Sequence, residues 1–404
     1  EVEKMKYDIE WYVNDNGAQV RRLILHLPES VDIKDVTADC FSVYVERRDE
    51  EGKIIYTCPV WYKKEIKKSS GYRKILAAYP CDAGGEAKCT GEYVALEMDM
   101  EDFLSRTIVG TLDSSKFIDT IYRVTQIREI GELAGLVFDE LGEIRCPQTK
   151  RWAHGRSSYV QLPLQFGYYS PDTEDTRPLI IWLHGAGEGG QDPRTAYMGN
   201  KVVALSSSKI QEYFGGAWVL VPQCPTMWMD DGTHTYRHTG QSMYCDALKA
   251  LIDEFVENHA VDRKRIYIGG CSNGGFMTMR MVIDYPDYFA GAYPMCEALY
   301  DDTISDEQIQ AIRHVPIWML HAMTDKIVDP EETSVPTYKR LVSAGAGNVH
   351  LTYINDRPPF PMVDHGCWTI GLNDEENYDF NGQPVIADGK EVTRFQWLAA
   401  QKRE

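Results

Sequence analysis

Apolar positions follow two different rhythms along this chain, and the change of rhythm predicts two kinds of architecture. Up to about residue 125, short alternating or β-branched runs recur between polar turns: Val20–Leu25, Phe41–Val45, Ile54–Tyr56 and Tyr93–Met98. Asn16-Gly17 and Gly84-Gly85 stand between such runs as turn signals. Many short strands with no helical stretch between them predict an all-β sandwich.

From about residue 126 the pattern changes to unbroken apolar runs alternating with stretches at helical spacing. Leu179–Leu183, Arg265–Gly269 and Val315–His321 read as strands buried on both faces of a parallel sheet, and Val349–Ile354 is strand-like. Tyr244–Val256 and Phe276–Ile283 carry helical spacing, the first leading into a strand and the second following it. That β-α-β order implies parallel strands with covered faces. The expected organisation is a sandwich over 1–125 and an α/β domain over 126–404. Trp228–Met243 reads as a long insertion between a strand and a helix, with Trp228 a candidate pocket residue.

Length and composition narrow the functional classes. At 404 residues the chain is long for one core, which agrees with two domains. Lys plus Arg number 42 against 61 Asp plus Glu, a net charge of −19. Nucleic acid and anionic membranes recruit basic patches, so neither is an expected partner. No run is long enough to span a bilayer, and Glu1-Val2-Glu3-Lys4 carries no signal-peptide pattern. A soluble protein is expected, with a cytoplasmic form and a processed, secreted form both open. The ten cysteines show no paired zinc spacing, so no metal is expected. Cys81 and Cys89 bracket a glycine-rich loop and could bridge in an oxidising compartment, whereas Cys271 reads as a small buried filler.

The candidate chemistry begins at Gly270-Cys271-Ser272-Asn273-Gly274, a G-x-S-x-G element between a predicted strand and a predicted helix. Glycines on either side permit a turn so tight that Ser272 Oγ is thrust away from the backbone, toward a base and a carbonyl carbon. Upstream, Leu179–Leu183 runs into His184-Gly185-Ala186-Gly187-Glu188. No G-K-[ST] follows and no G-x-G-x-x-G opens a helix, which argues against a phosphate cradle. Backbone N–H groups of Ala186 (Gly187 as the alternative) and of Asn273 are the expected oxyanion donors, worth ~3–4 kcal/mol each in a tetrahedral transition state. The order Ser, then acid, then His selects the partners. Asp325 lies just past the Val315–His321 strand, with Asp329 as its competitor. Of the downstream histidines, His350 lies within a strand-like stretch, His314 precedes a strand, and His321 precedes the acid. His365, after the last strand, is left as the base.

With these motifs in view, residues 160–370 resemble the α/β-hydrolase superfamily, on the branch of esterases related to polyhydroxybutyrate depolymerases and prolyl-oligopeptidase-like hydrolases. L-H-G-A-G-E at 183–188, V-P-Q-C-P at 221–225, D-R-K-R-I-Y-I-G-G-C-S-N-G-G at 262–275 and H-G-C-W at 365–368 carry the resemblance. The similarity is greatest to esterases with an N-terminal immunoglobulin-like domain, which implies that character for the sandwich. It also implies a triad at Ser272, Asp325 and His365. Arg357–Pro361 departs from the family pattern and bears on the shape of the pocket.

The expected function is a cofactor-independent serine carboxylesterase acting on a small-molecule or oligosaccharide-linked ester, feruloyl and acetyl esters of plant polysaccharide included. The N-terminal domain is the candidate contact for a homo-oligomer. The alternative is a peptidase of prolyl-oligopeptidase type, in which Glu188 and Glu297 are the candidate acids for a substrate ammonium.

Overall fold

The computed structural model describes residues 5–59, 65–110, 114–235, 238–355 and 365–404. They form two compact units that part between Lys150 and Arg151. The expected joint near 126 therefore falls inside the first unit.

The first unit is built on eight strands: β1 (Met5–Asn14), β2 (Gly17–Asp32), β3 (Phe41–Arg48), β4 (Ser70–Arg73), β5 (Ile75–Cys81), β6 (Thr90–Met98), β7 (Asp119–Gln126) and β8 (Val137–Arg145). Their order across the sheet is β4-β3-β7-β8-β1-β2-β6-β5. Only Lys74 separates β4 from β5 in the chain, so the two edges of this sheet are neighbours and it curls into a sandwich. Strict burial alternation along β3 and β7 puts Val43, Val45, Tyr122 and Val124 into the core. β8 explains the misplaced joint. It pairs in parallel with β1, from Met5 opposite Phe138 onward, yet most of its residues are exposed. A strand held chiefly by backbone pairing leaves almost no apolar alternation to read. All ten cysteines are free thiols: Cys81 is buried against Ile24 and Ala95, while Cys89 is exposed, so the considered 81–89 bridge is not formed.

The second unit has strands β9 (Trp152–Arg156), β10 (Gln165–Tyr169), β11 (Arg177–Leu183), β12 (Trp218–Gln223), β13 (Val261–Cys271), β14 (Gly291–Met295), β15 (Ile317–Ala322) and β16 (Val349–Ile354). The order is β9-β10-β12-β11-β13-β14-β15-β16, with β9 and β10 antiparallel at one edge and the remaining six parallel. Every residue of β14 and β15 is buried, as the continuous apolar runs predict for strands covered on both faces. Helices α1 (Cys245–Asn258), α2 (Asn273–Asp284) and α3 (Ser334–Ser343) cover the sheet. Among the described residues no helix is long and apolar enough to cross a membrane.

Parallel strands send their C-terminal ends to one edge of the sheet, and loops there collect residues remote in sequence. His184 follows β11, Ser272 follows β13, Cys296 and Glu297 follow β14, Asp325 lies past β15, and His365 lies past β16.

Candidate active site

Ser272 joins β13 to α2 with φ 54° and ψ −114°, a conformation outside the ordinary regions for an L-residue. Two close approaches enforce this turn. A Cβ on Gly270 would meet the Leu183 carbonyl oxygen at 2.3 Å, and one on Gly274 would meet the same oxygen at 1.9 Å. The elbow is thus pressed against the end of β11, and glycine is required there by space rather than by φ. The Ser272 N–H donates to the Met295 carbonyl at 3.0 Å, which ties the turn to β14 as well.

The three side chains expected to form a triad lie in one hydrogen-bonded row. Ser272 Oγ is 3.0 Å from His365 Nε2, and His365 Nδ1 is 2.8 Å from Asp325 Oδ2. Since Asp325 can only accept when ionised, Nδ1 carries the hydrogen and Nε2 presents its lone pair to the serine. Asp325 and His365 are buried, whereas Ser272 is partly open. The Trp368 ring meets the His365 ring edge to face at 5.4 Å.

Asp325 is rich in donors. Oδ1 accepts the N–H groups of Ile327 and Val328 at 2.9 and 3.0 Å, and Oδ2 faces His321 Nε2 at 3.1 Å in addition to His365. Burial alone would raise its pKa, but the bonds from His321 and His365, the His365 charge and the Val328 N–H outweigh burial and hold it at about 2. Asp329 is exposed and its carboxylate accepts the Glu331 N–H at 2.9 Å, which leaves Asp325 as the residue joined to His365. His350 pairs with Asp379 and Asn348, and His314 with Asp287, both outside this row.

The loop after β11 makes a short helical turn, Ala186–Glu188, with Gly185 as its N-cap. Ala186 and Asn273 each open a helical turn, so their N–H groups have no intrahelical acceptor. His184, which the motif contained without a role of its own, shapes this loop. Its Nδ1 donates to the Gly185 carbonyl at 2.6 Å, and its Nε2 accepts the Cys224 N–H at 3.1 Å. Burial lowers its pKa to about 4 against the pull of the Gly185 carbonyl, which keeps the ring neutral in the tautomer these bonds need.

Three expected pocket residues have other surroundings. Trp228 is fully buried, packed against the rings of His184 and Tyr244, and belongs to the hydrophobic core. In the segment it opens, Asp230 accepts from Thr226, Gly232 and His234. Glu188 accepts from Asn200 Nδ2 at 3.2 Å, and burial pushes its carboxyl up to about 7 against bonds from its own N–H, Asn200 and the Gly185 N–H. Glu297 is 1% exposed, and burial pushes it up to about 8 against the Leu299 N–H. Glu297 therefore keeps its proton at neutral pH, while Glu188 is half-buried in the loop after β11 and bonded to Asn200. Tyr236 and the divergent Arg357–Pro361 segment lie outside the described residues.

Among the described residues one cluster has metal-ligating chemistry: Cys296, Asp325 and His365 bring ligand atoms within 4.8 Å of one another. Asp325 and His365 already share a hydrogen bond, and burial drives the Cys296 thiol well above its ordinary value, which favours the protonated thiol over a ligand.

Comparison with known proteins finds two family matches and several relatives. Residues 10–139 match the family described as Esterase Ig-like N-terminal domain, and residues 170–358 match the Phospholipase/Carboxylesterase family. The chain is 38% identical over 131 residues to a poly(3-hydroxyalkanoate) depolymerase C of Paucimonas lemoignei, covering 30% of this chain and 28% of that protein. It is 29% identical over 134 residues to feruloyl esterase B of Thermothelomyces thermophilus, covering 32% of this chain and 43% of that one. The chain thus spans less than half the length of these relatives. A crystal structure of a thermostable esterase superposes with a TM-score of 0.77 at 23% identity, over 98% of this chain and 99% of the other, a likeness of fold. Residues 170–358 thus match the phospholipase/carboxylesterase family, of α/β-hydrolase fold, and follow a segment over 10–139 that matches the esterase-type immunoglobulin-like domain.

Proposed function

We propose that this protein hydrolyses carboxylic esters through an acyl-enzyme on Ser272. The observation that carries the reading is the continuous row Ser272 Oγ, His365 Nε2, His365 Nδ1 and Asp325 Oδ2, with separations of 3.0 and 2.8 Å. Ser272 Oγ attacks the ester carbonyl carbon while its proton passes to His365 Nε2. Oxygen gains the negative charge in the tetrahedral intermediate and is held by the N–H groups of Asn273 and Ala186. His365 returns the proton to the departing alkoxide, and the alcohol leaves. Water then gives a proton to His365 and attacks the acyl carbon, and collapse returns that proton to Ser272 Oγ with release of the acid. Asp325 stays ionised throughout and holds the imidazole in the Nδ1–H tautomer.

The names of two relatives, a poly(3-hydroxyalkanoate) depolymerase and a feruloyl esterase, support hydroxyalkanoate and feruloyl esters as candidate substrate classes. A panel of p-nitrophenyl esters from acetyl to octanoyl, with a feruloyl sugar, a hydroxybutyrate oligomer and aminoacyl p-nitroanilides, tests both levels. Ester turnover with no comparable anilide turnover is expected. A preference for the anilides would move the reading to a peptidase.

A further inference from the structure

A second imidazole besides His365 faces Asp325. His321 is fully buried at the end of β15. Its Nε2 faces Asp325 Oδ2 at 3.1 Å and the Val328 carbonyl at 3.1 Å, and its Nδ1 faces Ser334 Oγ at 2.7 Å. An ionised carboxylate and a carbonyl can only accept, so Nε2 must carry a hydrogen. In the neutral ring Nδ1 is then an acceptor, and Ser334, itself fully buried at the start of α3, donates to it. The opposite tautomer would set a lone pair against two acceptors. Oδ2 is therefore shared: His321 and His365 both donate to the same oxygen.

We propose that His321, held in its Nε2–H tautomer by Ser334, is a positioning residue for the triad: it fixes the rotamer of Asp325 and takes part of the charge of the oxygen that serves His365. The inference rests on the ester-hydrolase reading above. Two consequences separate it from simple core packing. Loss of the His321 donor frees Oδ2 to swing and so lowers turnover. It also leaves the whole charge of Oδ2 to His365, which favours the protonated imidazole and moves the lower limb of the kcat/KM–pH profile to higher pH. The titratable groups facing Asp325 are His321 and His365, with Cys296 from the end of β14 acting on it through space. Glu297 approaches the network by way of Ser334.

The test compares His321→Leu, His321→Gln and Ser334→Ala with the parent enzyme on one p-nitrophenyl ester, with thermal unfolding as the check on folding. His321→Leu is expected to lose ~10–100-fold in kcat with KM little changed, the size of losing one hydrogen bond to a charged group. Its lower pH limb should move up by roughly half a unit to one unit. His321→Gln, whose amide can reach the position of Nε2, should recover most of the loss, and Ser334→Ala should lose ~3–10-fold. A folded His321→Leu with kcat within twofold of the parent would overturn the proposal. So would a loss with an unmoved pH limb that Gln does not repair. If His321→Leu does not fold, Ser334→Ala decides, and kcat within twofold for that variant overturns the proposal. Failure of the underlying reading is a separate result, since the parent itself would then show no ester turnover.

Discussion

Two carboxyl groups at the ends of neighbouring strands, Asp325 past β15 and Glu297 past β14, are both buried and are driven in opposite directions. Asp325 is held at about 2 and Glu297 is pushed to about 8. Burial acts upward on both, so burial does not distinguish them. The supply of donors does. Asp325 receives two backbone N–H groups and two imidazoles, whereas Glu297 has the Leu299 N–H on Oε2 at 2.7 Å and, beyond that, the single Ser334 hydroxyl that also faces His321. A buried acid becomes a permanent anion only where the fold surrounds it with hydrogens, and otherwise it stays protonated at neutral pH.

Between the two carboxyl groups, the larger effect is expected where the anion is removed. Asp325→Asn should lower kcat by ~10³–10⁴-fold while the protein stays folded, because an amide in this place favours the wrong tautomer of His365. The matching change at Asp329 should leave kcat within about threefold, as for an exposed carboxylate outside the hydrogen-bonded row. Equal losses at 325 and 329 in a kinetic assay would end the distinction. Glu297→Gln imitates the protonated acid and should keep activity at pH 7 within about threefold.

Stability should separate the two carboxyl groups by pH. Glu297, raised from its unfolded value of 4.5 to about 8, keeps its proton in the folded state while the unfolded chain releases it. Its linkage therefore lowers stability progressively as pH rises from about 4.5 to about 8, and Glu297→Gln should raise the melting temperature at pH 8 by ~3 °C or more but have little effect at pH 4.5. Asp325 has the reverse sign: its contribution is present above about 4 and is lost as pH falls toward 2, and Asp325→Asn should remove that dependence. Melting curves from pH 2 to 9 on both variants measure these slopes. Smallest of all, Ser272→Gly should raise the melting temperature slightly, by ~1–3 °C, since glycine accepts φ 54° without strain.

The sequence made some of this legible and hid the rest for physical reasons. Strands buried on both faces are continuous apolar runs, so the central sheet and the serine at its turn could be read directly. His365 was found by chain order and by the loop that bears it. Asp325 and His321 stand four apart, but spacing across the end of a strand does not tell which ring atom faces which oxygen. Ser334 and Glu297 meet this network through separate elements, and an isolated serine or glutamate carries no sign of it. Trp228 misled for the opposite reason: a large aromatic in a polar segment suggests a pocket, yet its ring is covered by His184 and Tyr244. The exposed strand β8 left no periodic signal, which moved the expected domain joint by about 25 residues.

The central claim is that one hydroxyl, Ser272 Oγ, is the nucleophile. Intact-protein mass spectrometry after treatment with a fluorophosphonate tests it most directly. The account predicts one adduct per chain on the parent, mapped to the peptide holding Ser272, with none on Ser272→Ala and a loss of turnover of ~10⁶-fold in that folded variant. A parent that takes no label, or a Ser272→Ala variant that still labels and turns over ester, would contradict it.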